Sequence, residues 1–229
     1  MNEYIKLSLA QFPGYFMDLL EVSAHPVTFI LKHLPLEKEA VSKAFVFLGI
    51  TLLLTYLLGI PMLPKQSNHL YMLLLYSAAS GVAFLGGMLL FRAAWSIVGG
   101  RASIRELFVC AAYLSAPPLF IISFFSLVGQ AFFILIDPEG AAALRENPMA
   151  ELSESSEELG GQIASQALTI FGLAVALCWY IGAWRSYRII NRVSKIRSII
   201  AFFLSVVFSI PFFFLVTLFV FPLISEKFT

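Results

Sequence analysis

Charged side chains are scarce in this chain. Only 13% of its 229 residues are Asp, Glu, Lys or Arg, about half the share usual in soluble domains, which excludes a water-soluble fold. Histidine is scarcer still. His25, His33 and His69 are the whole complement, with no H-E-x-x-H and no pair spaced by four, which removes the zinc-protease reading. A G-x-S-x-G nucleophile elbow is missing. Gly99-Gly100 lacks the flanking pattern of a phosphate-cradling loop and reads as a hinge or turn. The two cysteines, Cys110 and Cys178, sit in apolar runs and read as buried small hydrophobes rather than a disulfide or metal pair. No Asp, Glu, Lys, Arg or His lies well inside a long apolar run, which counts against an intramembrane enzyme and a proton-driven pump. Together these absences predict a protein that is not an enzyme, holds no cofactor or metal, and binds no nucleic acid. Residues 1–20 have no basic start and are broken by Gln11, Pro13 and Gly14, so they are not expected to form a signal peptide.

What is present is apolar. Fifty-nine per cent of the residues are hydrophobic and the mean hydropathy is +0.87. The chain is organised around residues 107–136, a run of about 30 residues without a charge, where about 20 suffice to cross a bilayer core. Arg101 and Arg105 precede it, and an acidic stretch opens at Asp137 after it. Four further runs are long enough to span: about 44–63, 69–91, 165–184 and 198–222. The expected architecture is therefore an all-α, polytopic membrane bundle of five transmembrane helices, preceded by an N-terminal arm over residues 1–43.

Within the arm, Pro13-Gly14 is expected to break any helix between the apolar pieces 4–9 and 15–20. Pro26 suits a first helical turn. Val27, Ile30, Leu31 and Leu34 then share one face, with Lys32 and His33 toward the other. This segment is too short to span, so it reads as an amphipathic helix that lies in the membrane interface or packs on the ends of the spans. In the second run Ala79, Ala83 and Gly87 repeat every four residues, with Ser77 and Gly81 on the neighbouring strip. That spacing predicts a helix-packing seam.

Lysine and arginine set the orientation. The arm carries Lys6, Lys32, Lys38 and Lys43; the second connection carries Arg92, Arg101 and Arg105; the fourth carries Arg185, Arg188, Arg192, Lys195 and Arg197. The opposite side has only Lys65, Arg145 and Lys227. The positive-inside rule then places the N-terminus in the cytosol and the C-terminus outside. The acidic connection, residues 137–160, reads as a solvated external loop in which Ser155 and Glu158 have capping-box spacing.

Two constellations could carry function. Pro117 and Pro118 cannot donate helix bonds to the carbonyls of Tyr113 and Leu114, and Pro211 likewise frees that of Val207. Ser115, Tyr113 and Ser209 are near enough in sequence to help satisfy them. These residues could form a kink satisfied by protein, or a broken helix lining a cavity as in some transporters. Arg185, Arg188, Arg192 and Lys195 would share one face if the fourth helix continued into the cytosol, and could hold anionic lipid headgroups. They also serve as topogenic charges.

Several of these segments resemble the Yip (Ypt-interacting protein) family of five-span membrane proteins in its bacterial form. The likeness comprises Pro26-x-x-Phe29, residues 44–47, and Gly99-Gly100-x-Ala102-Ser103-x-Arg105-Glu106-Leu107 followed by Tyr113-x-x-Ala116-Pro117. Residues 179–184 and the basic run before the last span complete it. The resemblance implies a compact helical bundle in a bacterial cytoplasmic membrane with no established enzymatic activity. The family's eukaryotic members resemble trafficking factors that associate with Rab GTPases. This chain lacks their long hydrophilic N-terminal region and its D-L-Y-G-P motif, so GTPase binding is not carried over. Two functions are therefore expected of the chain. The first is a membrane organiser that binds lipids or other membrane proteins, itself included; the alternative is a channel or transporter subunit.

Overall fold

The computed structural model describes residues 3–34, 38–60, 69–140, 142 and 156–225. The long elements among them are helices: α1 (Glu3–Ala24), α2 (Pro26–His33), α3 (Lys38–Gly59), α4 (His69–Ile97), α5 (Ile104–Ile136), α6 (Ser156–Asn191) and α7 (Lys195–Ser225). Five of the seven, α3 to α7, contain segments long and apolar enough to cross a membrane. The protein is thus a multi-pass helical membrane protein. Several helices exceed the expected runs. α6 has 36 residues, about 54 Å at 1.5 Å per residue, against a hydrocarbon core of about 30 Å. Its last turns carry Arg185 and Arg188, beyond the expected run 165–184.

α5 and α6 form the most extensive pairing, with α3 on one side of α5 and α7 packed on α4. Glycines let α5 and α6 approach. A Cβ on Gly129 would stand 2.9 Å from the Ser165 carbonyl, one on Gly161 2.9 Å from the Phe133 ring, and one on Gly172 2.6 Å from Phe125 Cβ. In lipid no hydrophobic force drives helices together, so such close van der Waals contact carries the association. The seam expected on α4 makes no close contact at its Gly87 end. A Cβ at Gly87 would meet open space, whereas one at Gly86 would collide with the ring of Phe212 on α7. The contact is set by where the bulky partner ring falls, which the Ala79–Ala83–Gly87 spacing does not specify.

The arm departs most from expectation. α1 runs unbroken through Pro13 and Gly14. Proline removes one helix bond and strains the preceding turn, but tertiary packing outweighs that cost: Tyr15 and Val22 are fully buried. The Tyr15 ring lies 4.7 Å from that of Phe47 and 6.5 Å from that of Phe120. Its hydroxyl meets Thr51 Oγ1 at 2.9 Å. Because Thr51 spends its own hydrogen on the Phe47 carbonyl, Tyr15 is the donor. Burial pushes the Tyr15 phenol up to about 12, only partly offset by this bond, so the donor is retained at any physiological pH.

α2 folds back on α1, with Lys32 Nζ 3.2 Å from a Glu21 carboxylate oxygen. It packs on the bundle rather than presenting the expected stripe. Phe29 and Ile30 are fully buried and Leu31 is exposed. The inward face is set by Tyr113 of α5, whose ring stands 4.9 Å from Phe29 and 5.6 Å from His33. The indole Nε1 of Trp179 on α6 donates to the Ser23 carbonyl at 2.9 Å, tying the arm to a third helix. Tyr15→Phe is expected to cost about 1 kcal/mol, one net hydrogen bond. Thermal unfolding in detergent would register a small fall in Tm with faster proteolysis of the arm, and an unchanged Tm would show the bond to be dispensable.

Candidate functional site

The residues proposed around the proline breaks fall in two places. Tyr113, Leu114 and Pro117 are buried, while Ser115 and Pro118 are half-buried, all within a continuous α5. The helix is not unwound there. Ser115 Oγ donates to the Ala112 carbonyl at 3.0 Å, not to the carbonyls of Tyr113 or Leu114. The Tyr113 ring is covered by Phe29, His33 and Phe47. This part of α5 is therefore a seat for the arm. Pro211 is exposed on α7, and Ser209, on the same helix, lines a different space.

That space is a groove of about 400 Å³ between α4, α6 and α7, lined by Phe91, Tyr180, Trp184, Phe202, Ser205, Val206, Ser209 and Ile210. Its walls are aromatic and aliphatic. Of the three hydroxyls in its lining, those of Tyr180, Ser205 and Ser209, that of Ser205 is occupied by the Ala201 carbonyl at 2.7 Å. Val206 and Ile210 are exposed, so the groove opens sideways, toward the surface a bilayer would cover. Phe91 and Phe202 meet the Trp184 ring edge-on at 5.5 and 5.2 Å. Trp95, fully buried, stacks on Trp184 at 5.3 Å.

At the basic end of the bundle two turns interlock. α4 finishes with Gly99 at φ 83°, a left-handed conformation costly for residues with a Cβ. The Gly99 and Gly100 N–H groups donate to the Ser96 and Trp95 carbonyls, the two bonds of a Schellman cap. Ser103 and Glu106 then form a capping box that starts α5. α6 ends likewise. Arg192 takes φ 55°, its N–H donates to the Ile189 carbonyl, and that of Val193 to the Arg188 carbonyl. The fourth helix therefore does not continue past Asn191, and the four basic residues do not share a helical face. Arg185 and Arg188 stay on α6, Arg192 sits in the turn, and Lys195 opens α7. The left-handed cap breaks the three-and-four spacing. Asn191, fully buried, joins the turns: its carbonyl accepts from the Arg101 N–H at 3.1 Å, and its Nδ2 donates to the Tyr187 carbonyl at 2.9 Å.

Around this clasp several buried polar atoms among the described residues have no hydrogen-bond partner: Arg92 Nη1, Trp95 Nε1, Trp184 Nε1, Ser186 Oγ and Asn191 Oδ1. None of these residues was singled out as a site by sequence reasoning except through the motif containing Trp184. The available signal was the placement of Trp95 and Trp184 near basic segments, as in an interfacial aromatic belt. Among the described residues no group of three or more His, Cys, Asp or Glu is placed to hold a metal ion. Cys110 is buried and Cys178 exposed, both free; Cys178 lies on the outer surface of α6, not in packed interior. Ser155 of the expected capping box lies outside the described residues.

Fold and groove define a class: a five-span α-helical membrane protein with a helical arm folded onto its spans and an apolar groove open to the side. No model of a known protein family matches the chain, and comparison with curated proteins and with solved structures finds no match.

Proposed function

We propose that the protein is a non-enzymatic membrane organiser of the Yip type that holds a membrane lipid in the groove between α4, α6 and α7. The groove itself is the observation that carries this reading. Its volume of about 400 Å³ falls within the range of ligand sites, roughly 300–1,000 Å³, and its apolar lining and lateral opening suit an acyl chain better than a water-soluble solute. In this reading the protein sits in a bacterial cytoplasmic membrane with its N-terminus and basic end in the cytosol, following the distribution of Lys and Arg. Bound lipid and the folded arm then present one composite surface to neighbouring membrane proteins.

The test is to fill the groove. Ser209 is a small lining residue, and Ser209→Trp adds a ring to that space. Native mass spectrometry of the protein extracted from membranes is expected to show lipid-bound species in the wild type and their loss in Ser209→Trp, with Tm retained. Equal lipid occupancy in both proteins would refute the groove as a lipid site.

A further inference from the structure

From the same cluster we infer that the basic end of the groove is a phosphate site for the headgroup of an anionic glycerophospholipid, an inference that rests on the lipid reading above and specifies its ligand. The unpartnered atoms there are mostly donors. Trp95 Nε1 and Trp184 Nε1 are indole N–H groups that can only donate, and Arg92 Nη1 belongs to a permanent cation. Burying a donor without an acceptor costs about 1–3 kcal/mol, and more when the group is charged. Such a cluster calls for a ligand with several acceptor oxygens and negative charge, which describes a phosphodiester.

The groups are contiguous through packed rings. Trp184 lines the groove and stacks on the fully buried Trp95. Arg92 lies one turn before Trp95 on α4, at the i, i+3 spacing of neighbours on one helical face. Asn191 Oδ1 is a different case. A Cβ on Gly100 would stand 2.6 Å from it, so it faces the turn and belongs to the clasp. Charge at this end also favours an anion. Arg101, Arg188 and Arg197 are near in the chain to the two turns, and the nearby carboxylate, Glu106, is engaged in the capping box. A lipid so placed has its acyl chain along Phe202, Val206 and Ser209 and its phosphate at Trp184, Trp95 and Arg92.

The experiment uses the full chain in nanodiscs of phosphatidylcholine doped with brominated phosphatidylglycerol, or with brominated phosphatidylcholine as the neutral-headgroup arm. Quenching of indole emission reads occupancy. The wild type is expected to show quenching at a several-fold lower mole fraction of the phosphatidylglycerol probe. Arg92→Gln should abolish that preference, since a hydrogen bond to a charged group is worth about tenfold or more. Trp184→Phe, which keeps a ring in the stack and removes only the N–H, should reduce it by a smaller factor and serves as the test should Arg92→Gln fail to fold. An undiminished preference in both variants, with Ser209→Phe, which fills the groove without adding an indole, still abolishing quenching by either lipid, overturns the headgroup site and leaves the groove intact. Quenching insensitive to Ser209→Phe overturns the groove as well. Relief of quenching by millimolar inorganic phosphate would identify a free-phosphate site and overturn the lipid assignment.

Discussion

Gly172→Leu is expected to destabilise the protein by about 3 kcal/mol or more, at or beyond the upper end of the cost of overpacking a filled interior. The α-carbon of Gly172 faces α5 so closely that even a methyl would come within 2.6 Å of Phe125 Cβ, and that atom is held to the α5 backbone. Relief requires the helices to separate along the pairing that includes Gly129 with Ser165 and Gly161 with Phe133. Between helices in lipid, close packing is itself the main source of association, so separation removes the attraction along with the strain. Gly182 supplies the control on the same helix. A Cβ there meets nothing within 4 Å, so Gly182→Leu should change stability by only a few tenths of a kcal/mol. Thermal unfolding followed by size-exclusion chromatography in detergent separates the two, and equal Tm values would show that the α5–α6 seam is not where the bundle is held.

The second large effect is expected at the clasp. A Cβ on Gly100 would lie 2.8 Å from the Trp95 carbonyl oxygen and 2.6 Å from Asn191 Oδ1. The first is backbone and the second is on a side chain tethered through its own amide to the Tyr187 carbonyl, so neither can swing aside freely. Gly100→Val should displace the turn and break both the Gly100-to-Trp95 cap and the Arg101-to-Asn191 bond, a loss of roughly 2–4 kcal/mol from strain and two hydrogen bonds. Gly99→Ala should cost less. Its penalty is the left-handed φ of 83°, about 1–2 kcal/mol, and its nearest neighbour is Arg197 Nη1 at 3.5 Å, the end of a flexible side chain. Chemical unfolding in mixed micelles would rank the two. Gly99→Ala proving the more damaging would mean that backbone conformation, not contact with Asn191, controls this turn.

Both effects belong to residues that the sequence shows only as glycines in apolar or basic surroundings. Gly129, Gly161 and Gly172 are not spaced by four along one helix. They divide between two antiparallel helices, and although Gly161 and Ser165 stand four apart on α6, that spacing does not name their partners Phe133 and Gly129 on α5. On α4 the repeat is visible, but the contact falls one residue away because Phe212 on another helix chooses Gly86. The arm teaches the same lesson in reverse. Pro13-Gly14 is a sound local signal for a break, and α1 overrides it because Tyr15 and Val22 gain burial that the isolated segment could not have.

The sequence by itself determined the class. Five charge-free runs of membrane length, and basic residues gathered on alternate connections, are properties of composition along the chain, and the solvent reads them segment by segment. The five membrane-length helices of the structure follow from that. Which faces meet was decided only by the tertiary structure. Lipid tails are as apolar as leucine, so hydropathy does not distinguish a face turned to lipid from one turned to another helix. Shape complementarity between two surfaces makes the choice, and it placed Phe125 against Gly172, Phe29 against Tyr113, and Trp184 against Trp95 at the head of an open groove.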